Sequence, residues 1–380
     1  MHAAARVDLR AIRDNVAALR ERAARNGAAL MAVVKADGYG HGLLPSARAA
    51  VAGGATWLGT ALLDEALALR AAGVTEPRVL SWLTGPGERW GEAIRADVDV
   101  SASALWALEG IVAAAREVGR PARLHLKVDS GLSRGGATTA DWPDLVEAAR
   151  KAEADGAVQV VGLWSHFAYA DAPGHETVAR QAAVFREALE VAERAGIRPE
   201  VRHLANSAAT LTAPEHHFDL VRPGIAVYGL SPVPDLGGPA AYGLRPAMTL
   251  AGSLILVKRV PAGSGVSYGH IYVTDRATTL GLLPLGYADG LPRNAGNVGP
   301  LYAAGRRRTI AGRVCMDQVV VDLGDDAAEA GDEVVLFGPG DRGEPTAQDW
   351  ADATGTISYE IVTRVGPRVP RVYANEGDIA

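Results

Sequence analysis

Cysteine occurs once in the 380 residues, at Cys315, so the chain can form no internal disulfide, as expected of a protein in a reducing compartment. Lysine is almost as scarce: only Lys35, Lys127, Lys151 and Lys258 occur among 38 basic residues, which leaves few amines for covalent chemistry. No apolar run approaches the roughly 20 residues that a membrane-spanning helix requires. The opening segment, residues 1–10, interleaves charges where an export signal needs an unbroken apolar stretch, so a cytoplasmic protein is expected. There is no block of like charge, and 38 basic against 44 acidic residues give a net charge of −6, which argues against a nucleic-acid-binding protein. With 48% hydrophobic and 22% charged residues the composition is globular, and the length allows two domains.

Through about residue 230, short runs rich in Val, Leu and Ile alternate with longer Ala/Glu/Arg stretches whose apolar residues recur at helical spacing. Eight strand-like runs can be placed, at 30–35, 56–61, 78–83, 98–102, 123–128, 158–166, 201–204 and 218–221. Helical patterns fall between them at 9–25, 64–72, 104–118, 142–154 and 175–195. Eight strands with helical crossovers suggest an α/β fold of the (β/α)8 type, since an open doubly wound sheet offers no reason for so regular a count. Residues 231–246 are crowded with Pro and Gly and read as a linker. Beyond it, 248–260, 278–285, 309–323 and 333–337 are β-rich and separated by turn signals, with a short helix expected at 348–354. The expected division is therefore a barrel over 1–235 and a mostly antiparallel β-domain over 236–380.

Chemistry-bearing residues gather where the barrel strands end. Lys35 opens the Gly-rich turn Lys-Ala-Asp-Gly-Tyr-Gly-His-Gly after the first strand, and a desolvated lysine there could serve as nucleophile and base, able to hold pyridoxal phosphate. Position alone favours a lysine reaching to solvent. Arg222, Gly224 and Ile225 follow the eighth strand, where backbone amides suit a phosphate. His203 and Ser207 end the seventh strand, with Ser207 also suited to cap a helix. His166 ends the sixth and Lys127 the fifth, ahead of a loop that offers Arg134 to an anionic group. A lone histidine is more often a core residue, and a loop arginine is often only solvated. The convergence of Lys35, Arg134, His166, Ser207 and Arg222 on one mouth is what coincidence explains poorly. A metal centre is not expected, because His203, His216 and His217 lack zinc spacing and there is no cysteine cluster.

The chain resembles the alanine racemases almost end to end. The resemblance is carried by Ala-Val-Val-Lys-Ala-Asp-Gly-Tyr-Gly-His-Gly at 32–42, His-Leu-Ala-Asn-Ser at 203–207, Arg-Pro-Gly-Ile at 222–225, Gly-Val-Ser-Tyr-Gly at 265–269, Gly-Tyr-Ala-Asp-Gly at 286–290 and Cys-Met-Asp-Gln at 315–318. It implies a pyridoxal 5'-phosphate enzyme in which Lys35 holds the cofactor covalently and acts as one base. Tyr268 from the partner of a homodimer is the other. By the same resemblance His166 hydrogen-bonds that tyrosine and leads on to Arg222, which faces the cofactor's pyridine nitrogen beside His203. Tyr39, Ser207, Gly224, Ile225 and Tyr359 would bind the phosphate, and Arg134 with the partner's Met316 the substrate carboxylate. Without the resemblance, Met316 reads as a core filler and Tyr359 as a strand aromatic. Some family members carry a carbamylated lysine at the position of Lys127. The following loop here reads Gly-Leu-Ser-Arg-Gly-Gly, where the family often has Gly-Met-Gly-Arg-Leu-Gly.

The implied function is interconversion of L- and D-alanine, an isomerisation that supplies D-alanine for peptidoglycan. Three alternatives stand beside it. Single-domain barrels that carry pyridoxal phosphate for cofactor homeostasis lack a β-domain. A decarboxylase of the same barrel class benefits from a protonated pyridine, which Arg222 disfavours. Serine or broad-specificity racemisation differs by as little as one hydroxyl.

Overall fold

The computed structural model describes residues 2–378, and the chain divides into two compact units. One comprises Ile12–Gly38 and Leu43–Leu244, and the other Met1–Ala11, Tyr39–Gly42 and Arg245–Ala380.

The first unit is a parallel barrel. Its strands, in chain order, are Ala29–Val33, Trp57–Thr60, Arg78–Ser81, Asp99–Ala102, Ala122–Lys127, Val158–Trp164, Val201–His203 and Leu220–Val221. Each pairs with the next up to the seventh, and the eighth lies beside the first. The remaining seam is closed by two backbone bonds, Asp219 N–H to Arg202 O at 3.0 Å and Arg222 N–H to Ala205 O at 2.9 Å. The strands read as nearly continuous apolar runs because both faces are covered, by helices outside and by side chains such as Met31, Trp57, Leu80, Val161, Val201 and Leu220 within. Helix Leu105–Val118 shows the local logic. Ala107, Leu108, Ile111 and Ala115 form its buried stripe, and Gly119 ends it at φ +74°. Helices Leu43–Ala52 and Trp90–Arg95 were not expected from the sequence, the second because six residues hold too little periodicity to register.

The second unit is β-rich. A six-stranded sheet runs in the order Arg306–Thr309, Pro300–Ala303, Glu333–Phe337, Met248–Ser253, Ala3–Asp8, Arg371–Ala374. All its pairings are antiparallel except the last. A three-stranded antiparallel sheet joins Leu256–Val260, Thr278–Leu283 and Val319–Gly324. The strand Ala3–Asp8 falls within the stretch the sequence division gives to the barrel, yet it pairs with Met248–Ser253 and Arg371–Ala374. The single β-segment expected at 309–323 separates into two strands, and residues 310–318 loop between them. The expected helix near 348 is present as Ala347–Thr354, with Thr346 as its N-cap.

Candidate active site

The first barrel strand stops at Val33, two residues before Lys35. From there Ala36, Asp37 and Gly38 take left-handed dihedrals, a single left-handed turn that costs a non-glycine residue roughly 1–2 kcal/mol. Local bonds hold it: Ala36 N–H donates to Glu65 Oε1 at 2.6 Å, Gly38 N–H to Val34 O at 2.9 Å, and Leu43 N–H to Asp37 Oδ1 at 2.8 Å. Gly38 is required, since a Cβ there would lie 2.7 Å from Ser46 Oγ. The turn presents the Lys35 amine 5.9 Å from the Trp82 ring centre. Burial, reinforced by the Arg134 charge and partly offset by Glu65, lowers the pKa of Lys35. More of it is therefore the neutral amine that attacks a carbonyl.

Arg222 lies just beyond the eighth strand and is 5% exposed, without a carboxylate among its described hydrogen-bond partners. Its guanidinium donates to Ser165 O at 2.8 Å and Leu204 O at 3.3 Å, and meets His203 Nδ1 at 3.1 Å and His166 Nδ1 at 3.2 Å. Its carbon stands 5.0 Å from the centre of the Trp164 ring, which in turn stacks on His203 at an interplanar angle of 5°. Burial brings the Arg222 pKa down to about 9. His203 and His166 are pushed well below the usual histidine value, first by burial and then by the Arg222 charge, so both are neutral and accept at Nδ1.

The turn after the eighth strand and the helix after the seventh meet at Ser207, whose Oγ accepts from Gly224 N–H at 2.8 Å and Ala226 N–H at 3.4 Å. With its lone pairs so used, the hydroxyl hydrogen is left to donate to an anion. Ser207 is the first helical residue. The cap is Asn206, whose Oδ1 accepts from Ala209 N–H at 3.1 Å.

Lys127 sits 4.3 Å from the Trp164 ring centre, and burial followed by the charges of Arg222 and Arg134 takes its pKa down to about 8. Arg134 is exposed on a loop whose start is gathered by Asp129 Oδ1, which accepts from Gly131, Leu132 and Ser133 N–H at 2.9, 2.9 and 3.2 Å. Gly136 closes that loop at φ +132°, where a Cβ would come within 2.5 Å of Asp129 N. The barrel mouth thus brings together Lys35, Lys127, Arg134, His166, His203, Ser207 and Arg222, with Gly224 and Ile225 in the turn. His125 and Asp99, both 0% exposed and behind His203, were missed in the sequence.

The other four candidates lie in the β-rich unit. Tyr39 is buried, its ring centre 6.4 Å from that of Tyr359, and burial with the neighbouring phenol raises its pKa. Tyr359 stands on the short helix Ser358–Thr363, not on a strand. Tyr268 follows Ser267, at φ +61°, and is 73% exposed. Met316 is 53% exposed and is no core filler. Its loop lies against Gly286, where a Cβ would come within 2.3 Å of Met316 O, and Tyr287 N–H and Ala288 N–H donate to Cys315 O and Met316 O at 3.0 and 2.9 Å. That contact explains why Gly-Tyr-Ala-Asp-Gly and Cys-Met-Asp-Gln occur together.

A parallel barrel with a desolvated lysine at its mouth and a turn whose backbone N–H groups gather at Ser207, on a chain that also carries an antiparallel β-unit, defines a class of lysine-centred barrel enzymes. Residues 7–232 match the alanine racemase N-terminal domain and 247–373 the alanine racemase C-terminal domain. The chain is 66% identical over 367 residues to the alanine racemase of Frankia casuarinae, covering 97% of this chain and 95% of that one. It is 64% identical over 380 residues to that of Streptomyces coelicolor, covering 99% and 97%. The crystal structure of alanine racemase from D-cycloserine-producing Streptomyces lavendulae superposes with a TM-score of 0.97 at 60% identity, covering 99% of this chain and 97% of that one. The chain belongs to the alanine racemase family and is an isomerase.

Proposed function

We propose that this protein interconverts L- and D-alanine with pyridoxal 5'-phosphate held on Lys35, using Lys35 and Tyr268 of a partner subunit as bases on opposite faces of the substrate's α-carbon. The observation that carries the reading is Lys35 itself, a desolvated amine beside Arg134 at the mouth of a barrel whose last turn gathers backbone N–H groups around Ser207.

The donor set fits the cofactor. Lys35 would hold its aldehyde carbon, Ser207 with the Gly224 and Ile225 amides, Tyr39 and Tyr359 its phosphate, and Arg222, steadied by His203, its ring nitrogen. When bound, pyridoxal phosphate supplies the electron sink that acidifies the α-hydrogen of an amino acid. Arg222 keeps a fixed positive charge where that nitrogen would sit, which disfavours protonation there and discourages transamination. Racemisation needs a proton removed on one face of Cα and another delivered on the other, so one group must lie on each side. A phenol is a poor base at its ordinary pKa of about 10. His166, obliged to accept from Arg222 at Nδ1, carries its own hydrogen on Nε2 and can donate it to the tyrosine oxygen, which favours the phenolate.

Arg134, with Met316 of the partner subunit, would bind the substrate carboxylate. The exposure of Tyr268 and Met316 in the single chain supports a homodimer with shared sites. Among the described residues no helix is long and apolar enough to cross a membrane. A cytoplasmic enzyme that supplies D-alanine for peptidoglycan is the setting proposed. The test is borohydride reduction of the cofactor-loaded protein followed by peptide mapping, alongside an enzyme-coupled assay for D-alanine made from L-alanine. Cofactor fixed on Lys35 together with D-alanine formation is expected, and cofactor fixed elsewhere would contradict the assignment.

A further inference from the structure

Behind Arg222 a line of buried polar side chains runs down the inside of the barrel. His203 Nε2 is 2.9 Å from His125 Nδ1, and His125 Nε2 is 3.1 Å from Asp99 Oδ2. His203, His125 and Asp99 are each 0% exposed. Asp99 opens the fourth strand, at the end of the barrel away from the mouth, where Arg78 Nη2 and Arg123 Nε each reach its carboxylate at 2.5 Å. Glu200 and Asp97 flank those two arginines.

The direction of every bond in this line is fixed by its ends. A guanidinium can only donate, so His203 Nδ1 accepts and its hydrogen is on Nε2. That hydrogen can go only to His125 Nδ1, which leaves the His125 hydrogen on Nε2, facing a carboxylate that can only accept. Reversing either imidazole would set donor against donor at Arg222 or lone pair against lone pair at Asp99. Burial lowers the pKa of both histidines, which keeps them neutral as this ordering requires.

The surroundings are shaped for the rings. The pairing of the fifth and sixth strands slips at Leu124/His125, bringing Gly162 opposite His125. A Cβ on Gly162 would lie 2.1 Å from His125 Nδ1, so only glycine leaves the ring its place. Trp57 meets His125 edge-on at 5.6 Å, and Trp164 stacks on His203.

We propose that Asp99 and His125 are positioning residues for Arg222: the carboxylate at the closed end of the barrel anchors, through His125, the Nε2 hydrogen of His203 and so holds in place the ring that His203 presents to the guanidinium. The hydrogen-bond order stands on the geometry alone, and its catalytic consequence rests on the proposed pairing of Arg222 with the cofactor nitrogen. The line anchors the His203 ring and so fixes the orientation of the Arg222 fork.

Solid-state ¹⁵N NMR of the histidine-labelled holoenzyme tests the order directly, with the two resonances assigned by loss in His125→Leu and His203→Leu. Both rings should be neutral with the hydrogen on Nε2. A hydrogen on Nδ1 of either ring, or a charged ring, would overturn the proposal. Gly162→Ala pushes His125 aside without removing any polar group. In it the His203 Nε2 hydrogen loses its acceptor and the His203 Nε2 resonance should move, and pyruvate formed per racemisation event should rise by about threefold or more, with the KM for alanine unchanged. A folded Gly162→Ala protein with an unmoved His203 Nε2 resonance and an unaltered pyruvate ratio would also overturn it. The tautomers are read whether or not alanine is racemised, so a parent protein without racemase activity would contradict the proposed function while the NMR still decides the order of the line.

Discussion

Nη2 of Arg222 lies 3.2 Å from Nδ1 of His166, and the same nitrogen donates to Ser165 O at 2.8 Å. One guanidinium thus fixes the tautomer of a histidine at the barrel mouth while tying down the backbone beside it. The electronic role and the structural role of Arg222 are separable by substitution.

Arg222→Glu replaces the fixed cation with an anion. The pyridine nitrogen of the bound cofactor should then take up a proton more readily. Racemisation should slow while pyruvate appears, and the ratio of pyruvate to racemised alanine, from coupled assays on one sample, checks this. A ratio no higher than the parent's would contradict the electronic role. Arg222→Leu should destabilise the fold, since Ser165 O, Leu204 O and two ring nitrogens lose their donor at about 1–3 kcal/mol per stranded buried group, measured by urea unfolding.

Lys35→Ala should remove covalent cofactor attachment. Lys151 is on the outer helix Trp142–Ala154 with its side chain 68% exposed, and Lys258 is on a strand of the β-rich unit. Lys127 is the remaining amine at the mouth. An unchanged visible absorption band in the Lys35→Ala protein would contradict the assignment.

The barrel was legible because its eight strands each follow a turn and read as apolar runs, and the observed strand ends differ from the expected ones by at most two residues. The mouth was legible because Lys35, His166, Ser207 and Arg222 sit within a few residues of strand ends. What stayed hidden depends on partners distant in sequence. His125 lies inside a strand among apolar neighbours, and its partners Asp99 and His203 are 26 and 78 residues away. Ala3–Asp8 is short and apolar enough to pass for part of the barrel, and only its pairing with Met248–Ser253 and Arg371–Ala374 shows where it belongs. Tyr359 carries the strand propensity of an aromatic, yet the surrounding Ser358–Thr363 segment closes a helical turn.

Lys127 should take up carbon dioxide. Three of the four charges acting on it are positive, from Arg222, Arg134 and Lys35, and only Asp129 opposes them. A carbamate forms when the neutral amine bonds to the carbon of carbon dioxide and loses a proton, and it turns a repelled cation into an attracted anion. Protein equilibrated with ¹³C-bicarbonate should show a carbamate carbon signal that is missing from Lys127→Gln.

In buffer freed of carbon dioxide, Lys127 instead gives a pH signature of stability. Its pKa falls from 10.5 to about 8 on folding, so between those values the unfolded chain binds more protons than the folded one and stability rises with pH. Relative to Lys127→Met, the parent should gain stability from about pH 8 to about pH 10.5, as followed by urea midpoints. A constant difference between the two proteins across that window would contradict the buried, repelled amine.

Lys35→Ala and Tyr268→Phe should each be severely impaired alone, yet restore activity when mixed. A heterodimer of the two gathers both lesions in one site and leaves the other whole, so about a quarter of all sites should be intact after random exchange of equal amounts. Activity that stays at the level of the separate variants, with exchange verified by mass, would rule out the shared site.

The central claim, two-base racemisation of alanine, is tested most directly by incubating the purified, cofactor-loaded protein with L-alanine in deuterated water. The account predicts deuterium at Cα together with complete loss of optical activity, both absent from the Lys35→Ala protein. A bound cofactor band with no deuterium at Cα and the optical activity of L-alanine intact would contradict it.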